Sequence, residues 1–314
     1  GKVGNNARAI GPNAWLLLAL NYYTLTTKDS SYVALSKAVA DWIISFQNQY
    51  RGGVWGGVDE HGGKFLWMST EHNLDCYAGL SVLYQITGKK RYKTVAFEIK
   101  RWLDDYVWNP WTRRFYNGGD DPNFATDVSS WAVLSLLEEP YFVCLDFAVD
   151  YSENRQFYNP NKIEIAGFDF GSSYARSPYP DKDAVWFEGT GQMILAFYLA
   201  GRIEESDYFL EEMKKALIKS DAHNDSTGLP YASNPGSPPY GGWVMPDKPI
   251  CISSTAWFLF SLKKFNPFWG NIIKPGEKKK IVPVKEIEEK VEEKEEKEEK
   301  PLIDEKIEEE LFGD

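Results

Sequence analysis

Five times along the chain a short polar or acidic cluster opens an apolar run of helical length. The openings are Asn13-Ala14-Trp15, Thr70-Glu71-His72-Asn73, Asp127-Val128-Ser129-Ser130-Trp131, Trp186-Phe187-Glu188-Gly189-Thr190 and Ser253-Ser254-Thr255-Ala256-Trp257. Four are followed by about a dozen helix-prone residues, a break and a second helical stretch. The unit recurs roughly every 50 to 65 positions, the period of an array of helical hairpins. The first helix of each unit is apolar nearly all round, as in Trp15 to Leu20, Met193 to Phe197 and Trp257 to Leu262, which predicts burial on every side. The second is one-sided. In the second unit Tyr92, Val95, Ala96, Ile99, Trp102, Leu103 and Tyr106 fall at helical spacing, with Lys93, Glu98, Lys100 and Asp104 between them. Buried helices alternating with half-exposed ones predict an all-α fold. Its inner ring sits inside an outer ring of antiparallel hairpins, with all five polar openings at one mouth.

The expected hairpins run from Asn13 to Thr26 and Ser31 to Gln49, and from Glu71 to Thr87 and Arg91 to Tyr106. A third has an inner helix from Asp127 to Leu137 and a short return interrupted by Pro140, and a fourth runs from Glu188 to Ala200 and Glu205 to Ser220. The fifth unit shows an inner helix only, ending near Phe265-Asn266-Pro267. The stretch from Phe157 to Asp183 alternates aromatic and small residues around Gly167 to Gly171, and irregular or strand-like structure is expected there.

The connections Arg51 to Gly57 and Trp108 to Gly119 are rich in glycine and aromatic residues. Loops longer than about a dozen residues are usually functional or disordered, and these are too aromatic for disorder. Trp55, Trp67, Trp108, Trp111, Trp186 and Trp243 all fall in loops or at helix starts. Apolar faces of pyranose rings stack on such side chains, while carboxylates, Asn and Arg take the hydroxyls. For any one of these tryptophans the competing reading is a plug between hairpins.

Composition separates a body from a tail. Residues 1–274 read as the helical domain, and residues 275–314 carry 16 acids and 9 bases, leaving 30 of the 46 acids and 26 of the 35 bases to the body. The body is nearly balanced, which argues against nucleic acid as a partner. The tail has no apolar stripe able to build a core and reads as a solvated linker or a single charged helix, with Ile307, Leu311 and Phe312 as a small docking patch. No stretch approaches the roughly twenty apolar residues of a membrane span, and no charged-then-apolar secretory signal is present. Because the chain starts at Gly1 rather than Met, that second absence carries little weight. Cys76, Cys144 and Cys251 form an odd set without CxxC spacing, each beside apolar residues, so buried free thiols and reducing, cytoplasmic surroundings are favoured. There is no HExxH, no Cys/His ligand spacing and no phosphate-cradling glycine loop, and Asp120, Asp121 and Asp127 lack the spacing of an EF-hand calcium loop. No metal and no cofactor is expected.

At this point the chain resembles the six-hairpin, or (α/α)6-toroid, glycosidase superfamily. The resemblance spans Asn5 to about Phe268. It rests on the repeated hairpins, on Thr70-Glu71-His72-Asn73-Leu74-Asp75, and on Trp186-Phe187-Glu188-Gly189-Thr190-Gly191-Gln192. It implies a carbohydrate bound in the funnel at the starts of the inner helices. It also spans several reactions: inverting and retaining glycoside hydrolysis, hydrolysis of unsaturated uronyl sugars and, on a related toroid, sugar 2-epimerisation and isomerisation. One departure stands out. Five inner and about four outer helices fall short of the twelve in a closed six-hairpin ring. Either part of the ring precedes Gly1 in a longer protein, the preferred explanation, or Phe157 to Asp183 fills the gap. An open ring would leave inner-helix faces wet and in need of a covering segment or partner.

Glycoside hydrolysis needs one protonated carboxyl for the leaving oxygen and one carboxylate to activate water or attack the anomeric carbon. Glu71 and Asp75, four apart, share one helix face, and Glu188 opens another helix with Gln192 one turn below. Acids in a first helical turn also complement the macrodipole, and for Asp127 an N-cap is the first reading. The expected assignment makes Glu188 the general acid and Glu71 or Asp75 the base. Asn73, His72, Gln192, Arg8, Asp127, Trp55, Trp67, Trp111 and Trp186 would bind an oligosaccharide or polysaccharide. Inversion is expected because facing helices leave room for a water, with carboxyls about 6.5 to 9.5 Å apart. Two alternatives stay open. The first is an epimerase using His61 or His72, with His223 in a separate loop, and the second is a non-catalytic glycan-binding segment. Arg113, Arg114 and Arg176 keep a uronic substrate open.

Overall fold

The computed structural model describes residues 6–158, 160–171, 183–221, 225–234 and 247–275. All belong to the first of two units into which the chain divides, Gly1–Lys278. The tail readings beyond Pro275, with Ile307, Leu311 and Phe312, lie outside the described residues, as do His223, Trp243 and Arg176.

Two layers of helix build the unit. The inner helices are α1 (Ile10–Thr27), α3 (Thr70–Thr87), α5 (Thr126–Leu136), α7 (Phe187–Leu199) and α9 (Ile252–Lys263), and each packs on the next in that order. The outer helices α2 (Val33–Ile44), α4 (Lys90–Trp102), α6 (Cys144–Ser152) and α8 (Ile203–Lys215) each return antiparallel against the inner helix before it. This is the predicted arrangement of hairpins, with the third return broken by a 3₁₀ turn at Glu139–Tyr141 that holds Pro140. Local signals fix several ends. Ser69 caps α3 by accepting the His72 backbone N–H at 3.3 Å, and Gly88, at φ 69°, closes the same helix.

Burial follows position in the arc. Helices α3, α5 and α7 are enclosed almost all round, whereas the all-round burial expected of Trp15 to Leu20 and Trp257 to Leu262 is not found. Helices α1 and α9 end the arc, and there Leu16, Leu259 and Leu262 remain 39 to 50% exposed. The axis of the arc is filled by aromatic rings. Trp15 lies 5.5 Å from Trp131, 6.0 Å from Trp257 and 5.3 Å from Phe268, mostly edge to face. Phe268 belongs to the segment after α9, which crosses the closed end. There the Asn266 side-chain amide donates to the Leu134 carbonyl at 2.8 Å and the Trp269 indole to the Ser135 carbonyl at 3.0 Å. Both carbonyls lie in the last turn of α5, where no intrahelical partner is available.

Two expectations change. A π-helical turn, Leu103–Val107, follows α4 and inserts an extra residue into the helical repeat. The face therefore slips by one position, so that Tyr106 points outward and Val107 is fully buried. Part of the Phe157 to Asp183 stretch forms an antiparallel hairpin, extended at its start, of Glu153–Tyr158 with Ile163–Phe168. It packs on α6, α7 and α8, where the Glu212 carboxylate accepts the Ala166 backbone N–H at 3.0 Å and Phe168 meets Phe209. It is therefore an addition to the outer layer and does not bridge α1 and α9. No described helix is long and apolar enough to cross a membrane.

Candidate active site

The N-terminal ends of the inner helices meet at one mouth. Glu71, Asp127, Glu188 and Ser253 occupy the first turns of α3, α5, α7 and α9. Backbone contacts lace these ends together. The Thr70 N–H donates to the Asn117 carbonyl at 2.7 Å, the Thr126 N–H to Phe170 at 2.8 Å, the Trp186 N–H to Phe168 at 2.7 Å and the Phe187 N–H to Tyr231 at 3.1 Å. Gly118 lies so close to Met68 that a Cβ there would sit 2.5 Å from the Met68 carbonyl oxygen. The loop from Asn117 to Asp121 is thus pinned across the starts of α3 and α5.

At the starts of α3 and α5 lies a cavity of about 310 Å³ lined by Glu71, Asp127, Asn117, Asp120, Asp121 and Trp67, with Met68, Val128 and Phe170 among the apolar walls, while Glu188, Asp75 and Ser253 do not line it. Asp127 is not a cap: α5 begins at Thr126, its cap position is Ala125, and no side chain caps it. Thr126 instead donates its hydroxyl to the Asp169 carbonyl at 2.6 Å, which leaves the Asp127 carboxyl facing the cavity.

The electrostatics are set by burial. A helix N-terminus favours a carboxylate by about 0.3–1 kcal/mol, but removal from water acts the other way and outweighs it here. Burial, followed by the charges of Asp127 and Glu188, holds Glu71 well above the usual carboxylate range. Burial, followed by the charge of Glu188, raises Asp127 to about 7. Glu188 is also raised by burial, yet its Oε2 accepts a 2.6 Å hydrogen bond from the Ser253 hydroxyl, which favours the ionised form. Of the three, Glu188 alone has a side-chain hydroxyl donor among the described residues. Asp75 lies one turn below Glu71, fully buried, and neither of its oxygens has a hydrogen-bond partner among the described residues. Burial and the charges of Glu71 and Asp127 keep it protonated well above the usual range.

The other expected residues divide by location. Trp67 lines the cavity, while Trp186 is buried under the start of α7 and packs on Phe170 at 5.0 Å. Gln192 lies inside the ring, where its Oε1 accepts from Ser130 at 3.1 Å. The Asn73 amide is fully engaged with backbone: Oδ1 accepts from Val54 N–H at 2.7 Å, and Nδ2 donates to the Val54 and Ser69 carbonyls. It ties the Gly52–Gly57 loop to α3. His72 packs at a tilt against Trp67, 5.5 Å between ring centres, and fills the space over Gly11, and burial lowers it to about 4, so its imidazole is neutral. Arg8 and His61 flank a separate groove with Asp59 and Glu60, and Trp111 is 92% exposed at a hairpin tip. Trp55 packs against the core. Arg113 pairs with Asp146, and Arg114 lies over Tyr116 and Phe147. Among the described residues no group of three or more His, Cys, Asp or Glu is arranged to hold a metal ion.

Sequence reasoning gave no role to Ser253, Asn117 or Phe170. Ser253 stands in a polar helix opening, a usable signal, but its partner Glu188 is 65 positions away.

No protein-family model matches the chain, and no curated protein matches it in sequence. Solved structures do match in shape. One is a family 76 glycoside hydrolase from a bovine Bacteroides thetaiotaomicron strain, with 17% identity over 67% of this chain and 46% of that one and a TM-score of 0.48. A second is the family 76 mannosidase Bt3792 of Bacteroides thetaiotaomicron VPI-5482, with 14% identity over 82% of this chain and 70% of that one and a TM-score of 0.54. A third is a sugar epimerase from a ruminal bacterium, with 12% identity over 83% and 73% and a TM-score of 0.57. The chain thus spans about half the length of the first and about seven tenths of the other two. The chain shares the α/α-toroid fold of the second and third of these structures.

Proposed function

We propose that the chain is a carbohydrate-active enzyme of the glycoside hydrolase class, acting at the mouth of the inner helices. The observation that carries this reading is the trio Glu71, Asp127 and Glu188 on three consecutive inner helices, in which, among the described residues, only Glu188 has a hydroxyl donor to stabilise its charge. Hydrolysis needs that asymmetry: a carboxyl that keeps its proton beside a carboxylate that has lost it.

The roles of Glu71 and Glu188 are the reverse of those expected from sequence. Glu71 holds the proton and delivers it to the glycosidic oxygen. Glu188, ionised and fixed by Ser253, accepts a proton from the water that attacks the anomeric carbon. Asp127 raises the proton affinity of Glu71 and bonds a sugar hydroxyl, and Trp67 offers a face for the ring. Helix α5 separates α3 from α7, which leaves space for the water and favours inversion. His72 is packed between Trp67 and Gly11 and His61 lies in the separate groove with Arg8, so the hydrolase reading is preferred to the epimerase one.

The test follows proton NMR in heavy water with a panel of neutral, amino and uronic oligosaccharides. New anomeric signals lost in both Glu71→Gln and Glu188→Gln support hydrolysis, and their first-formed anomer reports the stereochemistry. Loss of a C2 proton without new chain ends would instead identify an epimerase. Silence across the panel would leave a binding segment.

A further inference from the structure

Four consecutive residues, Phe168 to Gly171, strap the start of α5 to the start of α7. On one side the Thr126 N–H donates to the Phe170 carbonyl at 2.8 Å, the Thr126 hydroxyl donates to the Asp169 carbonyl at 2.6 Å, and Ala125 bridges Gly171. On the other side the Trp186 N–H donates to the Phe168 carbonyl at 2.7 Å, and the Phe168 N–H donates to the Thr190 hydroxyl at 3.0 Å. Asp127 follows Thr126 directly, and Glu188 lies between Trp186 and Thr190. The strap therefore sets how far apart two carboxyls of the mouth stand.

The strap carries one ionisable side chain, Asp169. It is 3% exposed, does not line the cavity and has no part in the chemistry proposed above. Its Oδ1 accepts the Phe170 N–H at 2.6 Å, and bonds from the Ala184 N–H, two residues ahead of Trp186, and from the Asn154 side chain reach the same carboxyl. Its own N–H donates to the carbonyl of Ser152, the last residue of α6, at 2.8 Å. Main chain and side chain together thus join the strap to the outer layer and to the segment leading into α7. Burying a polar group is costly unless it is bonded, and one bonded on every side holds a single geometry. A strap that only packed could carry an apolar side chain here. We propose that Asp169 is a positioning residue of the mouth, which acts through Thr126 and Trp186 to fix the separation of Asp127 and Glu188. Its effect on turnover rests on the reading above, while its effect on the two carboxyls does not. Burial pushes the Asp169 carboxyl up to about 8, so near pH 7 it is mostly neutral and asparagine is its closest mimic.

Carboxyl-carbon NMR titration of the full chain, labelled with carbon-13 in Asp and Glu, tests it. The Asp127 signal, assigned by its loss in Asp127→Asn, should titrate near 7 in the parent chain. Asp169→Ala, and the milder Thr126→Val, which removes only the hydroxyl bond to the strap, should lower that midpoint by about one pH unit or more as the carboxyls part and water enters. Asp169→Asn should keep it within about 0.3 of a unit. In turnover of the oligosaccharide panel, Asp169→Ala should lose about tenfold or more in kcat with KM changed less than about twofold, and Asp169→Asn should restore it. Urea unfolding shows which variants fold, and if Asp169→Ala does not, Thr126→Val decides. Lower stability with an unmoved Asp127 midpoint, or an Asp169→Asn shift as large as that of Asp169→Ala, overturns the inference. Cleavage that depends on Glu188, with that midpoint unmoved, would overturn it and leave the hydrolase reading standing. A shifted midpoint, in a chain whose parent cleaves no probe, would do the reverse.

Discussion

Asp127→Asn tests whether the site carboxyl is held protonated by its surroundings. Asp127 is 6% exposed and its pKa is raised from 3.8 to about 7 by burial and by the charge of Glu188. It therefore binds its proton more tightly in the folded chain than in the unfolded one. The stability it contributes is complete below about pH 4 and is lost as pH rises through about 7. The interval spans about three pH units at about 1.4 kcal/mol each, so the loss approaches about 4 kcal/mol as an upper bound. An amide of nearly the same shape removes the ionisation. Urea unfolding followed by tryptophan fluorescence, from pH 4.5 to 8.5, should give curves that nearly coincide at the acid end. At pH 8.5 the variant should be the more stable by about 2–4 kcal/mol. A constant difference at every pH, or a less stable variant at pH 8.5, would refute the argument that burial dominates the helix field at this position.

Ser253→Ala removes the donor that stabilises the Glu188 carboxylate, a bond to a charged group worth about 1.5–3 kcal/mol. The acid limb of kcat/KM against pH should move up by about one to two pH units, with Ser253→Thr restoring it. An unmoved limb would remove Ser253 from the mechanism. Asn73→Ala cuts three bonds to the Val54 and Ser69 backbone and should cost about 2–4 kcal/mol by urea unfolding, with faster tryptic cleavage after Arg51. If Asn73 only touched substrate, stability would hold and KM alone would rise. Burial raises the Cys76 thiol well above its usual range and the Cys144 thiol to about 12, whereas Cys251 is half-buried. An aromatic disulfide reagent at pH 8 should modify one thiol quickly, and Cys251→Ser should abolish that fast phase.

The hairpins were legible because their signals are local. Apolar openings such as Trp15 and Trp257, the glycine at position 88 and the one-sided pattern from Tyr92 to Trp102 all speak through residues within a turn or two of one another. The inner starts of α3, α5 and α7 lie within one residue of the expected positions for that reason. The π-helical turn at Leu103–Val107 was invisible, since nothing in the apolar spacing distinguishes Tyr106 from Val107 as the inward residue until the neighbouring helix is in place. The residues of the candidate site were visible as acids at helix openings, while their neighbours in space were not.

What the sequence determined by itself was an array of apolar inner and amphipathic outer helices with carboxyls gathered at one end, because helical period and end chemistry are short-range properties. The tertiary structure alone decided how those carboxyls differ. Glu188 gains a donor from Ser253, Asp127 faces the cavity because Thr126 bonds the end of another hairpin, and Asp75 is sealed beneath Glu71. Each of these depends on the distance and burial of groups tens of positions apart, and charge interactions in a low-dielectric interior are fixed by that geometry and not by spacing along the chain.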